Sequence, residues 1–303
     1  MRKSIGTLLL LCAPALAAQE LEPRSYSASP VGTSFIAAAW GQSSGNVVTD
    51  PTLPLSDVHA TVENVALRYG HAFAIGNAQA IFLATMPYAW GWVSGKVSRP
   101  GGTVDSAITR VGVGDAQLKL SVNFIGSPAL TPQQFAARKP SPWLVGASVA
   151  VNVPTGQYLP YQLVNVGTNR WAFKPEVGVS YNWHAKLYID FYSGVWFFEP
   201  NQAFYPGANR RTQDPLWSLQ FHASWNFTPR LYAALESTWY TGGASAVNGG
   251  PPSGRQDNSR LGALLSYGFA TRQSLKLSYS TGASARVGQK FDTVNLAWTY
   301  AWF

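Results

Sequence analysis

Beyond residue 18 the hydrophobic pattern has a period of two almost throughout, and stretches with a helical period are hard to find. The C-terminal stretch is clearest. Val294, Leu296, Trp298, Tyr300 and Trp302 fall on one side of an extended chain, with Thr293, Asn295, Ala297, Thr299 and Ala301 on the other. Residues 216–227 repeat this, Trp217, Leu219, Phe221 and Trp225 opposing Ser218, Gln220, His222 and Ser224. In 114–124, Leu118, Leu120, Val122 and Phe124 oppose Asp115, Gln117, Lys119 and Ser121. Similar alternation marks 142–153, 171–183, 187–198, 231–240, 260–269 and 274–281. Three candidates near 34–43, 58–70 and 79–91 are less regular, and together the segments predict twelve strands. Most run about ten to thirteen residues, longer than strands of soluble sheets and long enough for a tilted membrane crossing.

The connections alternate in length. Gly76-Asn77, His184-Ala185, Thr228-Pro229 and Thr271-Arg272 read as short turns. Between them lie Gly/Pro/Asn-rich stretches at 44–57, 92–113, 154–169, 199–214 and 242–257, with a shorter one at 282–289. The connection 125–141 is long where a short one is due, and one helical turn is expected near Pro132–Ala137. A sheet trimmed at one end and elaborated at the other is the mark of a membrane barrel. Trp90, Trp92, Trp143, Trp171, Trp183, Trp225, Trp239, Tyr240, Trp298 and Trp302 recur near strand ends, as interfacial girdles require. The polar face carries Ser, Thr, Asn and Gly rather than the dense Lys and Glu of a water-washed sheet. These features favour a membrane barrel over a soluble β protein. The fold class expected is all-β: a transmembrane antiparallel up-and-down β-barrel of about 12 strands, with short periplasmic turns and long extracellular loops.

Met1-Arg2-Lys3, the apolar Leu8 to Leu11 and Ala15-Leu16-Ala17 read as a secretory signal peptide over 1–17. The organisation expected after it is an N-terminal periplasmic segment, 18–33, and an outer-membrane barrel, 34–303. Cys12 is the only cysteine, and Leu11 before it argues against a lipid anchor, so the mature chain has no thiol chemistry. Only 12% of residues are charged and 14% are aromatic. The net charge is +8, but Lys and Arg are scattered singly, which argues against a nucleic-acid partner. The partners expected are outer-membrane lipids, lipopolysaccharide phosphates near Arg210 and Arg211, and a small-molecule solute.

The strand phases turn Arg68, Lys119, Lys174, Arg260 and Lys276 inward, against Asp115, Glu176, Asp190 and Glu236. Either a structural network or a solute-selective constriction accounts for that near balance. His222 also faces inward and falls opposite Glu236 if the 228–230 turn closes as expected. Strand 187–198 adds Tyr188, Tyr192 and Trp196 to this lumen set, and Tyr232 and Tyr240 join from the next strand but one. The rings serve as space-filling or as stacking surfaces for small aromatic or apolar solutes. Nothing points to a cofactor or a metal. The histidines lack ligand spacing, and Gly112-Val113-Gly114-Asp115 lacks the helix of a phosphate-binding fingerprint. No nucleophile motif accompanies His222, which argues against an enzyme.

Several segments resemble the bacterial outer-membrane transporter family named for the MetA pathway of phenol degradation. They are Pro23-Arg24-Ser25-Tyr26 through Pro30-Val31-Gly32, Gly112-Val113-Gly114-Asp115, Asn123-Phe124-Ile125-Gly126-Ser127-Pro128-Ala129-Leu130 and Val153-Pro154-Thr155-Gly156-Gln157-Tyr158. Asn169-Arg170-Trp171-Ala172-Phe173-Lys174-Pro175-Glu176 and Asn258-Ser259-Arg260-Leu261-Gly262 extend the likeness over nearly the whole chain. The resemblance implies a channel-like barrel and says little about the solute. Passive passage of small solutes is the function expected; a non-conducting structural barrel and an outer-membrane lipid-modifying enzyme are the alternatives.

Overall fold

A computed structural model describes residues 21–48, 55–99 and 102–303. The signal peptide expected over 1–17 lies outside the described residues. The strands are β1 (Ser34–Val48), β2 (Leu55–Ile75), β3 (Ala78–Arg99), β4 (Gly102–Val113), β5 (Ala116–Pro128), β6 (Trp143–Val153), β7 (Ala172–Trp183) and β8 (Leu187–Phe198). They continue with β9 (Asn201–Phe204), β10 (Asn209–Gln213), β11 (Leu216–Thr228), β12 (Leu231–Gly242), β13 (Ser245–Val247), β14 (Gln256–Ala270), β15 (Gln273–Ser284) and β16 (Gly288–Trp302). One helix, α1 (Pro132–Ala137), occupies the long connection where a helical turn was expected. Thr131 caps it, its hydroxyl accepting from the Gln134 amide while the Gln134 side chain accepts from the Thr131 amide.

Antiparallel pairing runs β1-β2-β3-β5-β6-β7-β8-β11-β12-β14-β15-β16, and β16 pairs back onto β1 from Ser34↔Trp302 to Val48↔Gly288. That closes a barrel of twelve strands, as the pattern predicts. Closure leaves the membrane-crossing strands without a free edge. β4 continues the course of β5, pairing with β3 from Tyr88↔Val113 to Arg99↔Gly102, while β5 pairs with the lower part of β3. The break falls at Gly114-Asp115, opposite Pro87, which has no amide to donate; Gly114 N–H instead donates to the Pro87 carbonyl at 2.9 Å. The freed Asp115 carboxylate anchors the 154–171 connection, accepting from the amides of Gly156 and Thr168, both at 2.9 Å, and from the Thr168 hydroxyl.

The outer face is apolar and exposed. Leu67 is 70% accessible, Leu235 68%, and Val65, Phe191, Phe221, Leu265, Leu277 and Leu296 accompany them. A continuous belt of this kind needs lipid to cover it. Trp143, Trp183 and Trp225 rim the short-turn end, and Trp92, Trp171, Trp217 and Trp239 the loop end, all outward and exposed. Tyr240, counted with the girdle by its position, points inward and is buried. The inner face is polar, with Ser121, Asn123, Ser148, Ser180, Gln220 and Thr238 all buried.

The structure corrects three expectations. Residues 92–99 are the far end of β3 and 102–113 are β4, paired strands rather than a loop. The outer face of these strands need not be apolar once they leave the bilayer, so the alternation fades although the pairing continues. The connection 199–214 holds β9 and β10, which form a small separate sheet with β13 from the 242–257 connection. Finally, the described part of the segment expected in the periplasm, 21–33, turns back into the barrel.

Candidate functional site

Thr33 leads out of β1 at the short-turn end. Val31 N–H donates to the Leu130 carbonyl and Gly32 N–H to the Ala72 carbonyl, each at 2.8 Å, so the connection bearing α1 braces the turn inward. Gly32 has φ +84°, a left-handed backbone that favours glycine. From there the chain crosses the lumen. Ser29 N–H donates to Gln79 Oε1 at 3.0 Å, and Asn123 Nδ2 donates to the Tyr26 carbonyl at 2.9 Å.

Tyr26 is the centre of the crossing, 1% accessible. Its ring fills a notch left by Gly146 and Gly178, opposite each other on β6 and β7; a methyl at either position would overlap the ring. Its hydroxyl lies 3.0 Å from Ser148 Oγ and donates to Glu176 Oε1 at 3.1 Å. Burial pushes this phenol well above its ordinary pKa, so it stays a donor. Arg24 stacks over Tyr232 and Tyr188, its Cζ 3.9 and 4.3 Å from the two ring centroids. Its Nη2 donates to Asn226 Oδ1 at 2.8 Å, and its amide to Asp190 Oδ2 at 3.1 Å. Ser25 N–H donates to the Tyr192 hydroxyl at 3.1 Å.

Glu22 meets Arg68 at 2.7 Å, the two side chains 43% and 32% accessible. The Arg68 guanidinium holds the Glu22 carboxyl down to about 2, with Lys276 and Lys119 adding to the effect against the cost of burial. A carboxyl depressed on docking stabilises the docked segment above its free pKa and loses that contribution as pH falls through the docked value. The loss therefore runs from about pH 4.5 to about 2. A partly hydrated pair contributes about 1 kcal/mol or less. Glu22→Gln should flatten the acid-side increase in protease cleavage within 21–29 that the unaltered protein shows over this window. An unchanged acid profile in Glu22→Gln would assign the transition to another group.

Lys119 and Lys174 meet Glu176 at 3.4 and 2.6 Å. Asp190, Tyr188 and Tyr192 hold the N-terminal segment, and Trp196 packs with Ala150, Ala172, Leu216 and Tyr240 toward the loop end. Arg260 donates to Ser280 Oγ, the Phe291 carbonyl and Thr293 Oγ1. Lys276 lies on the inner face, half-buried, while Asp115 holds a loop instead of lining an open passage. His222 pairs in register with Glu236 on one side and Asp190 on the other, yet neither ring nitrogen makes a hydrogen bond. Arg210 is exposed, and Arg211, within the loop sheet, is 8% accessible and donates to Ser245 Oγ.

Sequence reasoning missed Glu22, Arg24 and Tyr26 as lumen residues. The available signal was the inward pair Gly146 and Gly178, a gap on a wall of Ser and Asn with no side chain assigned to fill it. Arg170 and Arg211, folded in from the loops, carried no periodic signal.

A closed twelve-stranded barrel with a lipid-facing belt, two aromatic rims and long loops at one end defines an outer-membrane β-barrel protein. The family described as “Putative MetA-pathway of phenol degradation” matches residues 38–299, and the chain belongs to it. No curated protein sequence matches. Among solved structures, the COG4313 outer membrane channel from Pseudomonas putida F1 superposes with TM-score 0.76 at 20% identity, covering 93% of this chain and 100% of that one. The β domain of the Bordetella autotransporter BrkA gives TM-score 0.52 at 11% identity, over 89% and 99% of the respective chains. At these identities the likeness concerns the fold.

Proposed function

We propose that the protein is a passive outer-membrane channel for small solutes, narrowed by its own N-terminal segment. The observation that carries this reading is the way the segment is held. Single hydrogen bonds, a partly hydrated ion pair and ring contacts bind residues 21–29 to a polar wall. No strand ladder ties them down, so the obstruction can shift while the barrel stays closed. Twelve strands give a backbone radius of about 12 Å, enough for a narrow aqueous path once the crossing is displaced. The Pseudomonas putida structure it resembles is an outer membrane channel, which agrees with this reading.

A non-conducting barrel is the second reading, favoured by the complete shielding of Ser218, His222 and Ser224. Planar-bilayer recording of the full chain and of a chain lacking residues 21–29 separates the two. The channel reading expects small, fluctuating conductance from the first and a severalfold larger, steadier one from the second. Silence from both, with heat-modifiable gel mobility retained, would overturn it.

A further inference from the structure

From the short-turn end of the lumen up to the loop sheet, aromatic rings follow one another, and a cation stands beside most of them. Arg24 lies over Tyr188, Lys174 is 5.7 Å from the Trp196 centroid, Arg170 is 4.5 Å from Phe198, and Arg211 is 5.5 Å from Phe204. The lower cations are engaged: Lys174 meets Glu176, and Arg24 belongs to the docked segment. The top of the ladder differs. Arg211, in β10, is 8% accessible, donates through Nη2 to Ser245 Oγ at 3.0 Å, and has no bond at Nε. Among the described residues no carboxylate forms an ion pair with it. A guanidinium shielded from water is costly without a counter-charge, and its fork suits a carboxylate held by two parallel bonds.

The surroundings select the anion. Phe204 is 3% accessible beside Arg211. Gln213, two residues along the same face of β10, accepts from Arg170 Nη2, and Arg170 lies over Phe198, which stacks on Trp196 at 6.4 Å. An anion entering here therefore meets cations set among rings. Inorganic anions use only the cations and neutral aromatics only the rings; an aromatic acid uses both.

We propose that Arg211 and Phe204, with Arg170 and Phe198 next to them, form an entry subsite for small aromatic carboxylates at the loop end of the lumen. This deepens the channel reading by naming a solute class, and it is tested by binding, which does not depend on conduction. Calorimetric titration of the detergent-solubilised full chain with benzoate should show saturable binding, with cyclohexanecarboxylate weaker by about threefold for want of the ring and inorganic phosphate weaker still. Arg211→Gln should weaken benzoate by about tenfold, and Phe204→Leu should bring benzoate to the level of cyclohexanecarboxylate. Heat-modifiable mobility of each variant establishes that its barrel is intact. No benzoate binding to the unaltered protein, or equal binding in Arg211→Gln, overturns the subsite. Phosphate binding as tightly as benzoate also overturns it, making the site a general anion site. If the barrel conducts but benzoate does not bind, the subsite fails and the channel stands.

Discussion

Arginine in place of Leu296 should destabilise the folded barrel by about 2–4 kcal/mol. Leu296 faces outward, 44% accessible, between Trp40 on β1 and Leu277 on β15. Its neighbours on the outer face are apolar, so a guanidinium there either enters hydrocarbon or drags water and headgroups toward it. Leu219→Arg, on the same belt, should cost a similar amount. The matched control is Ser278→Arg. Ser278 is next to Leu277 in sequence but on the inner face, half-buried, with Asn295 Nδ2 3.4 Å away. Its effect should stay within about 1 kcal/mol, because the lumen wall there is polar and partly hydrated. Denaturant unfolding in lipid vesicles gives both values. Equal tolerance at Leu296 and Ser278 would mean that the belt does not face lipid.

That prediction draws on the part of the fold the sequence carries most plainly, the assignment of faces. In β11, β15 and β16 one side must meet hydrocarbon and the other water, so the alternation has large amplitude and fixes the phase. The phase places His222 opposite Glu236, and the pairing follows it, a bulge at Asn226/Thr228 setting the register above the Pro229-Arg230 turn. Phase does not report occupancy. By phase alone Ser218 is a lumen position that tolerates arginine; in the structure it is 0% accessible, so a long side chain there would overpack a filled wall. What fills the inner space comes from segments without periodicity. Residues 21–29 are held by single hydrogen bonds to side chains distant in sequence, such as Ser29 to Gln79 and Arg24 to Asn226. Such contacts leave no local pattern to read. The aromatic stripe shows both sides of this. Its inward direction was legible, while the engagement of Tyr188, Tyr192 and Tyr232 by the chain's own Arg24 and Ser25 was not.

Replacing Glu176 with glutamine should cost about 3–5 kcal/mol, the largest effect expected of a single inner-face substitution. Glu176 is 4% accessible and gathers four donors: Lys174 Nζ at 2.6 Å, Lys119 Nζ at 3.4 Å, the Tyr26 hydroxyl at 3.1 Å and Gln220 Nε2 at 3.1 Å. Glutamine keeps the shape but removes the charge that two ammonium groups share, one of them on a side chain 1% accessible. Lys174 then loses the charge it meets at 2.6 Å, which loosens the wall under Trp196. Because Tyr26 donates to the same carboxylate, part of the loss should appear as undocking of the N-terminal segment. Glu176→Gln should therefore raise conductance toward that of the chain lacking residues 21–29. Adding Lys174→Met should recover much of the stability, since a buried pair removed as a pair costs far less than one broken in half. It should not restore the charge-assisted bond from Tyr26, since the amide oxygen accepts more weakly than a carboxylate, so conductance should stay high. Stability and conductance then separate, the first following the charge balance of the wall and the second following the anchor of Tyr26. If the double substitution restored both, the Tyr26 bond would not be what holds the segment in the lumen.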